Sequence, residues 1–160
     1  MGKLLSAAEV ARYREDGYLC PIRALTAEDA ARYRARLEAA EAAAGGSLPG
    51  PYKHKPHLVY TFAQELVREP RILDAIEAVI GPDILCWESV FFTKEPHTRD
   101  FISWHQDITY WGLEAEGDVV TAWVALSPSM PLSASAPDWP QVMHTARTWF
   151  QAVAQREQWR

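Results

Sequence analysis

Hydrophobic residues near the start of the chain recur at intervals of three and four, the period of one helical face. Ala30, Tyr33, Leu37, Ala40 and Ala44 form such a stripe, and it runs out at Gly45-Gly46. Thr26 precedes the stripe with Asp29 three positions on, and Ser6 stands in the same relation to Glu9. A hydroxyl followed three positions later by an acid can satisfy orphan backbone N–H groups, so both sites read as helix starts. The spacing predicts a first helix over about 7–16 stopped at Gly17, a short extended piece from Tyr18 to Ile22, and a second helix after Thr26. Gly45 to Pro51 is a loop by composition, leading into Tyr52-Lys53-His54-Lys55-Pro56-His57, while Leu58 to Leu66 fits either kind of element. A third helix is marked by Pro70 in its first turn, an apolar face of Ile72, Leu73, Ile76, Val79 and Ile80, and a stop at Gly81-Pro82.

Beyond Gly81 the period changes. Ile84 to Lys94 is rich in aromatic and β-branched residues with apolar side chains on both faces, which reads as a strand buried between two layers, and Val119 to Leu126 reads the same way. Helices first and strands afterwards is the order of an α+β chain. Residues 130–140 form a Pro- and Ser-rich linker; after it, Val142, Met143, Ala146, Trp149, Phe150 and Val153 fall on one helical face, with Asp138 as cap and Pro140 in the first turn. The tail is therefore expected to be a helix.

The chain has 160 residues, enough for one domain around one core. Sixteen basic against twenty-one acidic side chains give a net charge of -5, and no basic run is present, so neither nucleic acid nor an anionic membrane is an expected partner. No stretch is long and apolar enough to span a bilayer, and the amino terminus lacks the apolar core of a secretory signal. Cys20 and Cys86 are too few for a disulfide framework or a thiolate zinc site, so a cytoplasmic location is expected. Met1 to Ser6 also fits the loose myristoylation pattern, which is short enough to recur by chance.

Candidate chemistry is concentrated in Phe101-Ile102-Ser103-Trp104-His105-Gln106-Asp107-Ile108-Thr109-Tyr110-Trp111-Gly112. If this segment is extended, His105 and Asp107 project from the same side, close enough to share one ion. An imidazole with a carboxylate suits a first-row metal such as Fe(II), and a second histidine from elsewhere would leave three coordination positions open. Trp104, Tyr110 and Trp111 would keep such a site dry. Taken alone, His-x-Asp reads equally as a surface pair or as a buried imidazole–carboxylate hydrogen bond.

Six blocks add context: Tyr13-Arg14-Glu15-Asp16-Gly17-Tyr18, Pro70-Arg71-Ile72-Leu73-Asp74-Ala75, Gly81-Pro82-Asp83-Ile84-Leu85-Cys86-Trp87, Phe91-Phe92-Thr93-Lys94, Ser103-Trp104-His105-Gln106-Asp107, and Thr121-Ala122-Trp123-Val124-Ala125-Leu126. In order and spacing they resemble the phytanoyl-CoA dioxygenase family of Fe(II)- and 2-oxoglutarate-dependent oxygenases, over residues 4 to about 129. The resemblance implies amino-terminal helices packed on a double-stranded β-helix, or jelly roll. It implies His105 and Asp107 as iron ligands with Gln106 between them, and Trp123 beside 2-oxoglutarate; a core aromatic on a buried strand is the plain alternative for Trp123. Lys94 would attract a dicarboxylate or simply face water at a strand end. His54, Lys55 and His57 correspond to a Lys-Pro-His segment near the active-site mouth of relatives, or to a solvated loop. Related halogenases carry a small residue at the position of Asp107; the carboxylate here implies hydroxylation of a small organic metabolite by molecular oxygen, with 2-oxoglutarate decarboxylated to succinate.

The resemblance stops near Ser129, which divides the chain into an incomplete family domain, 1–129, and a non-family tail, 130–160. The expected architecture is thus a partial jelly roll on amino-terminal helices, with a carboxy-terminal helix in place of the missing strands. The family's distal His and Arg motifs are absent; His144, the only histidine after Asp107, and Arg156 resemble them superficially, but on a helix His144 reads as solvated. A truncated gene would give this pattern, as would a half-barrel whose exposed sheet edges are covered in a homo-oligomer. The enzyme reading therefore stands beside a catalytically inactive remnant or binding module of the same fold, and beside a docking helix presenting Trp139, Trp149 and Trp159.

Overall fold

The computed structural model describes residues 3–93, 119–127 and 148–156, the last of these as backbone. Local capping chemistry sets the first two helices. Helix α1, Ala7–Asp16, begins where the Ser6 hydroxyl accepts the Glu9 N–H at 3.3 Å and the Glu9 carboxylate accepts the Ser6 N–H at 2.8 Å. It ends at Gly17, whose φ of 79° is left-handed and whose N–H donates to the Tyr13 carbonyl. Helix α2, Ala27–Ala43, begins with the Thr26 hydroxyl accepting the Asp29 N–H at 3.0 Å, and it buries Tyr33 and Leu37. A one-turn helix α3, Gly50–Lys53, and a 3-10 turn, Pro56–Leu58, follow. The ambiguous stretch then resolves as helix α4, Thr61–Val67, with Phe62, Ala63 and Leu66 buried. Helix α5, Pro70–Ile80, buries Ile72, Ile76 and Ile80, one residue per turn, while Leu73 and Val79 are half-buried.

Three strands complete the described chain: β1, Ile84–Thr93; β2, Val119–Ala125; and β3, Thr148–Arg156. Their order is β1-β3-β2, and both outer strands run antiparallel to β3, so β1 and β2 are parallel to each other with the last strand between them. Register follows from Phe91 and Val124, which both pair with position 150 and therefore share a face. That face meets the helices: the Phe62 and Phe91 rings lie 5.6 Å apart, and Leu37, Leu66, Ile72, Ile76, Ile80, Val120, Val124 and Leu126 belong to the same core. By alternation Phe92 and Trp123 project from the opposite face.

Several expectations need correction. Residues 148–156 are not part of a carboxy-terminal helix but form the middle strand of the sheet. Trp149, Phe150 and Val153 suit one face of a helix, yet the run also alternates in part, with Phe150, Ala152 and Ala154 at one parity and Gln151 and Gln155 at the other. Pairing decides between the two patterns: two parallel outer strands leave facing rows of N–H and C=O groups that only an extended segment can satisfy. Strand β1 is also less enclosed than its composition suggests, since only Ser89, Val90 and Phe91 are buried while Leu85 and Trp87 are exposed. A register shift between Cys86 and Glu88 marks a bulge at Trp87.

Candidate functional site

The sheet face turned away from the helices carries Trp123, which the resemblance singles out, and beside it Phe92, which the sequence reading passed over. Both side chains are half-buried, and their ring centroids lie 5.0 Å apart at an interplanar angle of 37°. Strict alternation along β1 and β2, anchored on the buried Phe91 and Val124, was the signal that could have placed Phe92 here.

The segment 94–118 joins the end of β1 at Thr93 to the start of β2 at Val119. His105, Gln106 and Asp107 belong to it, and they lie outside the described residues, as do Lys94 and His144. Arg156 is the last residue of β3, with its backbone opposite Ile84. Among the described residues no three His, Cys, Asp or Glu side chains come together as a metal would need. The donor set that the sequence offers, an imidazole and a carboxylate two positions apart, fits Fe(II) by its chemistry.

The Lys-Pro-His segment is not simply a solvated loop. His54 is exposed but bridges Val90, so the segment runs along the outer edge of β1. Lys55 takes a left-handed conformation with φ of 52°, and its N–H donates both to the Ser89 carbonyl at 2.8 Å and to the Glu88 carboxylate at 2.9 Å. Its ammonium sits 4.9 Å from the centre of the Trp87 ring, a cation–π contact at the bulge. The His57 Nδ1 lies 2.5 Å from the hydroxyl of Ser89, which is fully buried. Nothing local announces a contact between residues so far apart in sequence.

Burial lowers the pKa of His57, opposed by the Glu88 carboxylate and assisted by the Lys55 ammonium. Burial also raises the Cys86 thiol to about 11, with Glu88 adding to the rise, so that sulfur stays protonated and unreactive at neutral pH. Cys20 is raised by burial as well. The unfolded His57 imidazole, near 6.5, binds its proton more readily than the folded one, so His57 favours folding above that pH. That contribution is expected to be lost as pH falls through 6.5 toward the lower folded value, and His57→Gln should flatten this part of the profile. Urea denaturation at about pH 7.5 and about pH 5.5 checks it, because an unchanged slope in the variant would remove His57 as the cause.

Comparison with known proteins places this geometry. The profile described as phytanoyl-CoA dioxygenase matches residues 5–134. No curated protein matches the chain. Among solved structures, the nickel complex of ThoJ, a non-heme monooxygenase, is 28% identical, with a TM-score of 0.68 over 92% of this chain and 69% of that one. CytC3 is 21% identical, with a TM-score of 0.67 over 98% of this chain and 72% of that one. CytC3 with Fe(II) and alpha-ketoglutarate is 20% identical at a TM-score of 0.57, again over 98% and 72%, and at these identities CytC3 speaks for the fold alone.

Proposed function

The chain belongs to the phytanoyl-CoA dioxygenase family, and from that premise we propose that it hydroxylates a small organic molecule using molecular oxygen, Fe(II) and 2-oxoglutarate. The observation that carries this reading is His105-Gln106-Asp107 standing inside the family match over residues 5–134. The His105 imidazole and the Asp107 carboxylate would hold the metal, and Gln106 would fall between the two ligands. When bound, iron and 2-oxoglutarate supply the oxidising chemistry: one oxygen atom enters a C–H bond of the substrate and the other enters succinate, with loss of carbon dioxide. The protein's own contribution is positioning and exclusion of water. Trp123 would wall the cosubstrate pocket from the sheet face it shares with Phe92.

The three-stranded sheet is read as part of one layer of a jelly roll, with residues 1–129 carrying the family pattern. Residues 130–160 lack the family's motifs yet supply β3 to the sheet. The alternative reading is a non-catalytic binding module of the same fold.

The two readings separate in one experiment. The full chain, loaded anaerobically with Fe(II), is given 2-oxoglutarate and then air, and succinate is measured against an iron-free control. The oxygenase reading expects iron-dependent succinate even without a prime substrate. Absence of succinate together with absence of 2-oxoglutarate binding would assign the binding module instead.

A further inference from the structure

We infer that residues 54–57 are a guard over the outer edge of β1, anchored by the Glu88 carboxylate, and that lifting the guard lets β1 pair with β1 of a second copy of this chain. Strand β1 is an outer strand of the described sheet, so one row of its backbone groups turns away from β3. At Ser89 both of those groups are satisfied without a neighbouring strand. The Ser89 carbonyl accepts the Lys55 N–H at 2.8 Å, and the Ser89 N–H donates to the Glu88 carboxylate at 3.1 Å. The same carboxylate oxygen, Oε1, accepts the Lys55 N–H at 2.9 Å, so one side-chain atom both occupies the edge donor and holds the guard. The His57 Nδ1, 2.5 Å from the Ser89 hydroxyl, and the bridge from His54 to Val90 complete the attachment.

Edge strands are protected in proteins by lysines, bulges and charged side chains, and all three stand together here as Lys55, the bulge at Trp87, and Glu88. The guard is held against a local cost. Lys55 has a φ of 52°, a left-handed conformation that is unfavourable for a residue with a Cβ and persists only where surrounding contacts fix it. Without the Glu88 contact the backbone at Lys55 would relax toward an ordinary conformation and draw its N–H away from Ser89. A second copy is the partner that the strand's own composition favours. Strand β1 is rich in β-branched and aromatic residues, has no Pro or Gly, and carries Glu88 as its single charge, the pattern of segments that pair with themselves. An antiparallel pair of identical strands is symmetric, each copy offering the other the same groups, and Leu85 and Trp87 would bring exposed apolar surface to it.

Glu88→Ala in the full chain removes the anchor. Two readouts are used: hydrogen exchange of individual backbone amides, and self-association followed by sedimentation over a concentration series. The variant is expected to exchange the Lys55 amide faster than the parent and to self-associate with a dissociation constant at least about tenfold lower, the equivalent of one or two net backbone hydrogen bonds. Its Ser89 amide should exchange fast at low concentration and slow again as copies pair, while the Ile76 amide of the buried α5 face stays slow and reports an intact fold. Trp87→Lys added to Glu88→Ala places a second charge at an exposed position of the strand and should return association to the parent's level. Glu88→Thr, which suits a strand but is too short to reach the Lys55 amide, serves if the alanine variant does not fold. Unchanged exchange at Lys55 would overturn the carboxylate as the anchor, and faster exchange without tighter association would overturn the guard. Association that Trp87→Lys leaves undiminished would put the contact on another surface and overturn the pairing of β1 with β1.

Discussion

Replacing His105 with alanine is expected to weaken Fe(II) binding by more than about a hundredfold and to bring 2-oxoglutarate turnover to background. Loss of partners that only orient metal ligands typically costs ten- to a hundredfold, so loss of a ligand itself should exceed that range. With the imidazole gone, the chain keeps the Asp107 carboxylate, a donor that hard cations of many kinds share, and selectivity for a first-row metal goes with it. Asp107→Ala should behave alike, because each side chain contributes one bond to the same ion. Anaerobic titration with Fe(II) gives the affinity and succinate formation gives the turnover. A parallel measurement on His144→Ala decides the third donor, since an equal loss there would make His144 a ligand and wild-type behaviour would exclude it. If His105→Ala binds iron as the wild type does, the assignment of His-x-Asp as the metal centre fails.

The second large effect concerns stability. Phe91→Ala is expected to cost about 3–5 kcal/mol, a sizeable part of the 5–15 kcal/mol typical of a whole domain. Phe91 is 1% exposed, and its ring lies 5.6 Å from that of Phe62 at an angle of 26°. The pair joins α4 to the sheet, and the same core holds Leu37 of α2 and Ile72, Ile76 and Ile80 of α5. Truncation opens a void in a core that three helices and the sheet share, and such a close-packed core relaxes only in part around it. Urea denaturation should show a lower midpoint at an unchanged slope. A loss below about 1 kcal/mol would mean that Phe91 is not the joint between layers.

Helices α1, α2 and α5 were legible because their signals are local. Ser6 with Glu9, Thr26 with Asp29, Gly17, and Pro70 with Gly81 all act within one turn of the boundary they set. Helix α4 was ambiguous because Phe62, Ala63 and Leu66 are too few apolar positions to fix a period. Strand β3 was misread because its residues satisfy two periods at once, and the choice is made by β1 and β2, far away in sequence. The side of the sheet that bears Trp123 was left open, because both strands carry apolar residues on both faces, whereas the ends of β1 and β2 followed from their runs of aromatic and β-branched residues. The contacts of His57 with Ser89 and of Lys55 with Glu88 did not, since long-range polar pairs leave no periodic trace. For His105 and Asp107 the sequence provides chemistry and spacing, while the geometry lies outside the described residues.

The strand order has a bearing on how the protein is made. The central strand of the described sheet follows both of its neighbours in the chain, and the two it joins cannot zip together beforehand because each needs the strand that lies between them. During synthesis the helices can therefore assemble on the apolar side of β1 while the ladder waits open, its amides offered to any extended peptide nearby. Completion of this ladder is a long-range event, so the nascent protein depends on holding those strands apart from strangers until β3 emerges.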